Sequence, residues 1–262
     1  VSAPVVDARV DKLAQLRQRI AAVSSASRAN SIVPQRQQSS VSSLDEHHPQ
    51  DVLAVSAALS PLFPGGGLVR GTVTEFAGAS SVLLSIVAEV TAAGGQVAVI
   101  GRPQLCLAAA ADMGADLSRI GVVPDPGADP VEIAAVLLDG MDLVVLGLGG
   151  MSVPPSRSRV VTARARGKGA ALMVVDGRWS GARLKVHGTV CGYRHLPDRR
   201  PGYGRIGGYT LTVRTAGKGF AGADGRVDVC FSDGRMRLQP SVERIQAAPT
   251  DLPERESGAR AS

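Results

Sequence analysis

From residue 71 onward, short runs that are apolar at every position alternate with longer helix-patterned ones, and this rhythm constrains the fold most. "AVI", "LVVL" and "ALMVV" have no polar side, which is the pattern of strands buried on both faces of a parallel sheet. The spacing predicts strand 71–77, helix 80–93, strand 96–101, helix 103–113 and a short strand 120–123. Helix 128–139, strand 142–147, a helical segment around 156–167 and strand 170–175 follow. Strands alternating with helices imply a parallel sheet wound with right-handed crossovers. After residue 180 the helices stop: "ARLKVHGTVCGY", "GGYTLTVRTAGKG", "RVDVCFSDG" and "RMRLQP" read as β strands, with Asp-Gly turns between the last of them.

The ends are of another kind. Val6, Val10, Leu13, Leu16, Ile20 and Val23 recur at three- and four-residue steps, an amphipathic helix over residues 5–25 that can pack on its own domain or dock on a partner. A Ser/Gln-rich linker, 26–52, has little to bury, and its adjacent His47 and His48 read as solvated. The core is expected over 53–237. The tail, 238–262, is Pro-, Glu- and Ser-rich, with apolar residues such as Val242, Ile245 and Leu252 that suit folding on a partner.

Charge is divided along the chain. Residues 51–151 carry 3 Lys/Arg against 10 Asp/Glu, whereas 152–237 carry 17 against 5. A basic half of this size suits DNA or an acidic partner. Cys106, Cys191 and Cys230 form no CxxC pair, in keeping with a reducing, cytoplasmic compartment. No run reaches the roughly 18 uncharged apolar residues of a membrane span, and the first residues lack the basic-then-apolar order of a secretory signal.

"GTVTEFAGASSVLLSIVAEV" is laid out like a phosphate-binding loop: an extended run, a glycine, serines, then an apolar helix. Such a loop reads GxxxxGK[ST], with backbone N–H groups and a Lys on the phosphates and a hydroxyl on Mg²⁺. Laid from Gly78 through Ser80 and Ser81, the octet puts Leu83 at the second Gly, Leu84 at the Lys, and only Ser85 still fits. No register shift helps, because the chain has no lysine between Lys12 and Lys168. The strand that should end in a Mg²⁺-orienting Asp, "MDLVVLGLGG", ends at Gly147, and the position for a water-activating acid falls at Pro103 in "AVIGRPQ".

In order and spacing, "LFPGGGLVRGTVTEFAGASS", "GGQVAVIGRPQ", "GADLSRIGVVPDP", "MDLVVLGLGG", "ALMVVDGRW" and "GYTLTVRTAGKGFAGADGRVDVCFSDG" resemble the core of RecA-type recombinases over residues 55–237. With its nucleotide positions altered, the chain is most similar to the ImuA family, in particular its actinobacterial mutasome branch. The resemblance implies an α/β, RecA-like core: a mostly parallel central sheet flanked by helices, C-terminal antiparallel strands and a separate N-terminal helix. It implies a non-enzymatic accessory subunit of a DNA-damage-induced mutasome that supports error-prone translesion synthesis, nucleoid-associated during damage. Its partners would be ImuB, a Y-family-polymerase-like protein, and through it the sliding clamp and an error-prone C-family DNA polymerase. No cofactor or metal is expected, and the N-terminal helix is a candidate for self-association.

Recombinases hold DNA with loops after two of the core strands. The resemblance places those loops at "GLGGMSVPPSRSR" and after "VVDGRW", where Arg157, Arg159, Arg164, Arg166, Arg178, Arg183 and Lys185 cluster. Arg199, Arg200 and Arg205 join them, and Trp179, Tyr193 and Tyr203 lie nearby, a composition suited to stacked bases and paired phosphates. These arginines could equally be solvated or bind an acidic partner. Two alternatives stand beside the accessory-subunit reading: a single-stranded-DNA-binding or RecA-filament-modulating protein without polymerase partners, and an ATPase completed by a partner's lysine. "GYGRIGG" is set aside as a dinucleotide fingerprint because it precedes a strand rather than opening a helix. His187, Cys191 and His195 are set aside as metal ligands because four-residue steps on a strand span about 13 Å.

Overall fold

The computed structural model describes residues 52–196, 204–232 and 234–241. The expected N-terminal helix and linker, Arg199, Arg200, Tyr203 and most of the tail lie outside these residues. The chain enters through β1 (Val52–Ala54), which pairs antiparallel with β2 (Gly67–Val69) across two 3-10 turns. Then follow β3 (Val73–Gly78), α1 (Ser80–Ala92), β4 (Val97–Ile100), α2 (Leu107–Asp112), β5 (Ile120–Val123), α3 (Pro130–Leu137) and β6 (Leu143–Gly147). After the two-residue β7 (Ser152–Val153) come α4 (Pro155–Lys168), β8 (Ala171–Val175) and β9 (Arg178–Trp179), which pairs with β7. The last strands are β10 (Leu184–Leu196), β11 (Arg205–Gly217), β12 (Phe220–Ser232) and β13 (Arg235–Pro240).

The fold is α/β, built on one nine-stranded mixed sheet in the order β13-β12-β11-β10-β3-β8-β6-β4-β5. From β10 to β5 every pairing is parallel; from β10 to β13 every pairing is antiparallel. The expected C-terminal antiparallel strands are β10 to β13, and they continue the parallel block in one mixed sheet rather than standing apart from it. The strands between helical crossovers stay four to six residues long here, whereas the antiparallel-paired β10, β11 and β12 each run to 13 residues.

Complete burial explains why the central strands read as unbroken apolar runs. Leu143 and Val145 of β6 face one cluster, with α1 and the 53–63 segment; Val144 and Leu146 face the other, with α3 and α4. Helix α1 is buried almost all round, so its sequence has no polar face. Helix α3 starts on Asp129, whose carboxylate accepts from the Glu132 N–H, with Pro130 at the first turn. Helix α4 stops at Gly169 in a left-handed conformation. Among the described residues no helix is long and apolar enough to cross a membrane.

Two local expectations change. Helix α2 starts at Leu107 rather than 103, because the Leu105 N–H bonds back to the Arg102 carbonyl in a turn. Asp224-Gly225 is not a hairpin turn: it lies inside β12, and the turn before that strand is Lys218-Gly219. Gly225 answers to packing instead, since a Cβ there would come within 2.7 Å of a Leu62 methyl.

Candidate functional site

The C-terminal ends of β3, β8, β6 and β4 lie side by side, and open α/β sheets bind ligands at such an edge. At β3 a single residue, Ala79, separates strand from helix, and its N–H is already donated to the Gly188 carbonyl on β10. Gly78 has φ +98°, and a Cβ on it would stand 2.0 Å from the Gly188 carbonyl oxygen. Its glycine serves the contact between β3 and β10. Ser80 is exposed at the first turn and Ser81 is buried. Leu83 is fully buried and Leu84 only 5% exposed, both in the core cluster. The hydroxyl of Ser85 donates to the Val82 carbonyl at 2.9 Å within its own helix. Where a phosphate would meet the helix start there is instead a groove of about 400 Å³, lined by Ala79, Leu84, Met113, Val190, Tyr193 and Tyr209 among others. An apolar lining with no cation cannot offset phosphate charge.

The end of β6 is filled too. A Cβ on Gly147 would meet the Gly101 carbonyl oxygen at 2.6 Å and the Arg102 side chain at 2.7 Å. Arg102, leaving β4, thus lies across the position where a Mg²⁺-orienting Asp would project, and pairs with Asp176 just beyond β8. Asp176 holds a left-handed backbone, φ 50°, the one non-glycine to do so among the described residues. Pro103 is exposed in the turn that follows. In the sequence Arg102 stands out only as not being an acid; its place over Gly147 depends on strands distant along the chain.

The basic residues divide. Arg157 pairs with Asp129; Arg164 makes two hydrogen bonds to Asp139, which Lys168 also approaches; Lys185 meets Glu75 at 3.1 Å. The Asp129 and Asp139 carboxyls are lowered from their ordinary range, first by the hydrogen bonds from Arg157 and Arg164 respectively, and the Arg164 guanidinium is raised by Asp139 in return. Three predicted nucleic-acid contacts are therefore partly committed to ion pairs with the acidic half of the chain. Arg159, Arg166, Arg178 and Arg205 are exposed, and Arg183 is half-buried with its backbone N–H on the Val73 carbonyl.

Trp179 corrects the stacking expectation. It is 3% exposed, its indole N–H donates to the Thr162 hydroxyl at 3.1 Å, and its backbone N–H donates to Glu75. It holds the loop after β8 onto α4 and offers no face to a base. Tyr193 is exposed, yet its register partner is Tyr209, which packs on the core side of the sheet, away from Lys185.

Fold and site together define a class: an α/β protein on a mixed sheet whose β3–α1 junction packs Leu83 and Leu84 into its own core. Residues 61–181 match the family described as the MT3502 N-terminal domain. The chain is also 55% identical over 163 residues to the "uncharacterized protein Rv3395c" of Mycobacterium tuberculosis (strain ATCC 25618 / H37Rv), a match covering 60% of this chain and 80% of that protein. The chain belongs to the family of Rv3395c.

Proposed function

We propose that this chain is a non-catalytic, RecA-like accessory subunit of the ImuA type, serving a DNA-damage-induced mutasome by binding ImuB, and DNA with it. The observation that carries the reading is that none of the three nucleotide positions offers a phosphate- or Mg²⁺-binding group: Leu83 and Leu84 lie in the core, Arg102 is laid over Gly147, and the third position is the exposed Pro103. The groove that remains at the start of α1 is apolar and without a cation, in keeping with a fold retained as a scaffold. The parallel block followed by a long antiparallel extension supports the RecA-like assignment, because it is the architecture the resemblance implies.

The test is nucleotide binding by the full chain, by calorimetry with Mg-ATP, beside capture of ImuB from a purified mixture. The reading expects no heat of nucleotide binding and retention of ImuB. Mg²⁺-dependent ATP binding that disappears in Ser85→Ala would overturn it, as would failure to retain ImuB.

A further inference from the structure

The two faces of the antiparallel extension differ. On one, Leu184, Val186, Leu211, Val213, Val227 and Val229 join the core beneath α1, α2 and the 53–63 segment. Strand alternation puts the intervening residues on the opposite face. Hydrogen bonds fix this independently: Arg214 reaches Asp224, and Thr210 reaches Asp228, between directly paired positions of β11 and β12.

That opposite face carries Lys185 and Arg194 on β10, Arg214 on β11, Arg226 on β12 and Arg237 on β13, every one exposed. His187, cross-strand from Arg214, lies on it as well. Among the described residues the carboxylates at this face are Asp224, paired with Arg214, Asp228, which accepts from Thr210, and Glu75 on neighbouring β3, paired with Lys185. The five cations reach across four hydrogen-bonded strands, about 14 Å, and over nine residues of β10, about 30 Å.

We propose that this sheet face is a phosphate-backbone surface for duplex DNA. The inference rests on the nucleic-acid part of the proposed function and moves the contact from the loops after β6 and β8 to the sheet. Three observations favour this occupant. Among the described residues of the face at Lys185, Thr189, Arg214, Arg226 and Arg237, none is the aromatic or aliphatic anchor that dominates protein–protein hot spots. Between its cations stand hydroxyls, Thr189 paired with Thr212, which suit phosphate oxygens. Among the described residues the aromatics of the extension, Tyr193, Tyr209, Phe220 and Phe231, belong to the other face by register or core packing, so none of them offers a base a stacking partner here, and single-strand recognition relies on such stacking. A duplex offers one charge per roughly 1.7 Å of its axis, and a flat cationic face can follow those charges without reading sequence.

The experiment is fluorescence anisotropy of the full chain with a labelled 24-base-pair duplex of arbitrary sequence, titrated from 50 to 200 mM NaCl. Compared with it are Lys185→Gln/Arg194→Gln/Arg237→Gln and, on α4, Arg159→Gln/Arg166→Gln. The sheet variant is expected to bind at least about tenfold more weakly, with the slope of log affinity on log salt shallower by about 0.9 for each phosphate no longer neutralised. The α4 variant should stay within about twofold of the parent. Arg194→Gln/Arg237→Gln, which breaks no ion pair seen among the described residues, should show the same effect in smaller measure, and thermal melts should be unchanged. Absence of duplex binding at 50 mM salt, or an α4 variant as weak as the sheet variant, would overturn the proposal. So would a single strand of the same length that binds more than tenfold tighter and ignores the sheet substitutions. ImuB capture is read in parallel: a sheet variant that loses ImuB and keeps DNA makes this face a protein interface and ends the proposal, while nucleotide binding bears only on the accessory-subunit reading.

Discussion

Gly78 serves the fold at a position where a phosphate loop would serve a ligand. In a phosphate loop its φ near +98° would let the backbone curl around an anion. Here the same conformation brings β3 within van der Waals reach of β10, with Gly188 opposite. Gly78→Ala adds a methyl 2.0 Å from a backbone oxygen at a φ that L residues avoid, and should cost more than about 2 kcal/mol, read as a lowered urea midpoint. If Gly78 were a relic of nucleotide binding alone, the variant would be neutral. Leu83→Ala should cost about 2–5 kcal/mol, as for other fully buried leucines, by the same measurement. At this scale the sequence was legible where it concerned burial. Two leucines in place of Gly and Lys announced a core position, because no solvated loop gains from them. It was silent on Arg102 and Trp179. Which aliphatic stem lies over Gly147, and which indole is sealed under α4, depend on the closure of the sheet and leave no trace in local pattern.

Among elements, α3 and α4 explain much of the charge division. The arginines of α4 that follow one another on its α3 side meet Asp129 at the start of α3 and Asp139 just past its end. Both carboxyls are held below their ordinary value of 3.8, first by the hydrogen bonds from Arg157 and Arg164. A carboxyl lowered in the folded state contributes stability above its unfolded pKa, and that contribution is lost as pH falls through the folded value. The gap in melting temperature between the parent and Asp139→Asn is therefore expected to be open at pH 6 and to close below about pH 4, on the way to pH 2. The exposed setting of the pair keeps the gap small. A gap that persists unchanged at pH 2 would mean the substitution acts by other means. The elements themselves could be read early: β4, β6 and β8 are apolar at every position because both faces are covered. The faces of β10 to β12 could not, since irregular pairing after Val190 and again after Arg194 interrupts the two-residue period from which a face is read.

For the whole molecule, the acidic and basic stretches are not two separate fields. Arg157, Arg164, Lys168 and Lys185 from the basic stretch, with Arg102 reaching Asp176 in the other direction, join the halves by ion pairs. What remains of the positive charge is sorted by topology: among the described residues, strands that leave the parallel block have helices on one face alone, and cations stand on the other. The same sorting bears on whether a nucleotide site could be built here. The positions the proposed reading assigns to it lie at β3, β4 and β6, so installing a phosphate loop changes three packed regions together. Leu83→Gly empties a core position, Leu84→Lys buries an ammonium, and Gly147→Asp drives a side chain into the Gly101 carbonyl and Arg102. The triple variant is expected to melt well below the parent and to show no upward shift when about 1 mM Mg-ATP is added, a shift that any useful affinity would produce by mass action. A melting temperature that rises with Mg-ATP would mean that the cavity persists beneath the side chains that fill it, and that residue identity alone, rather than the packing of the sheet edge, closed the site.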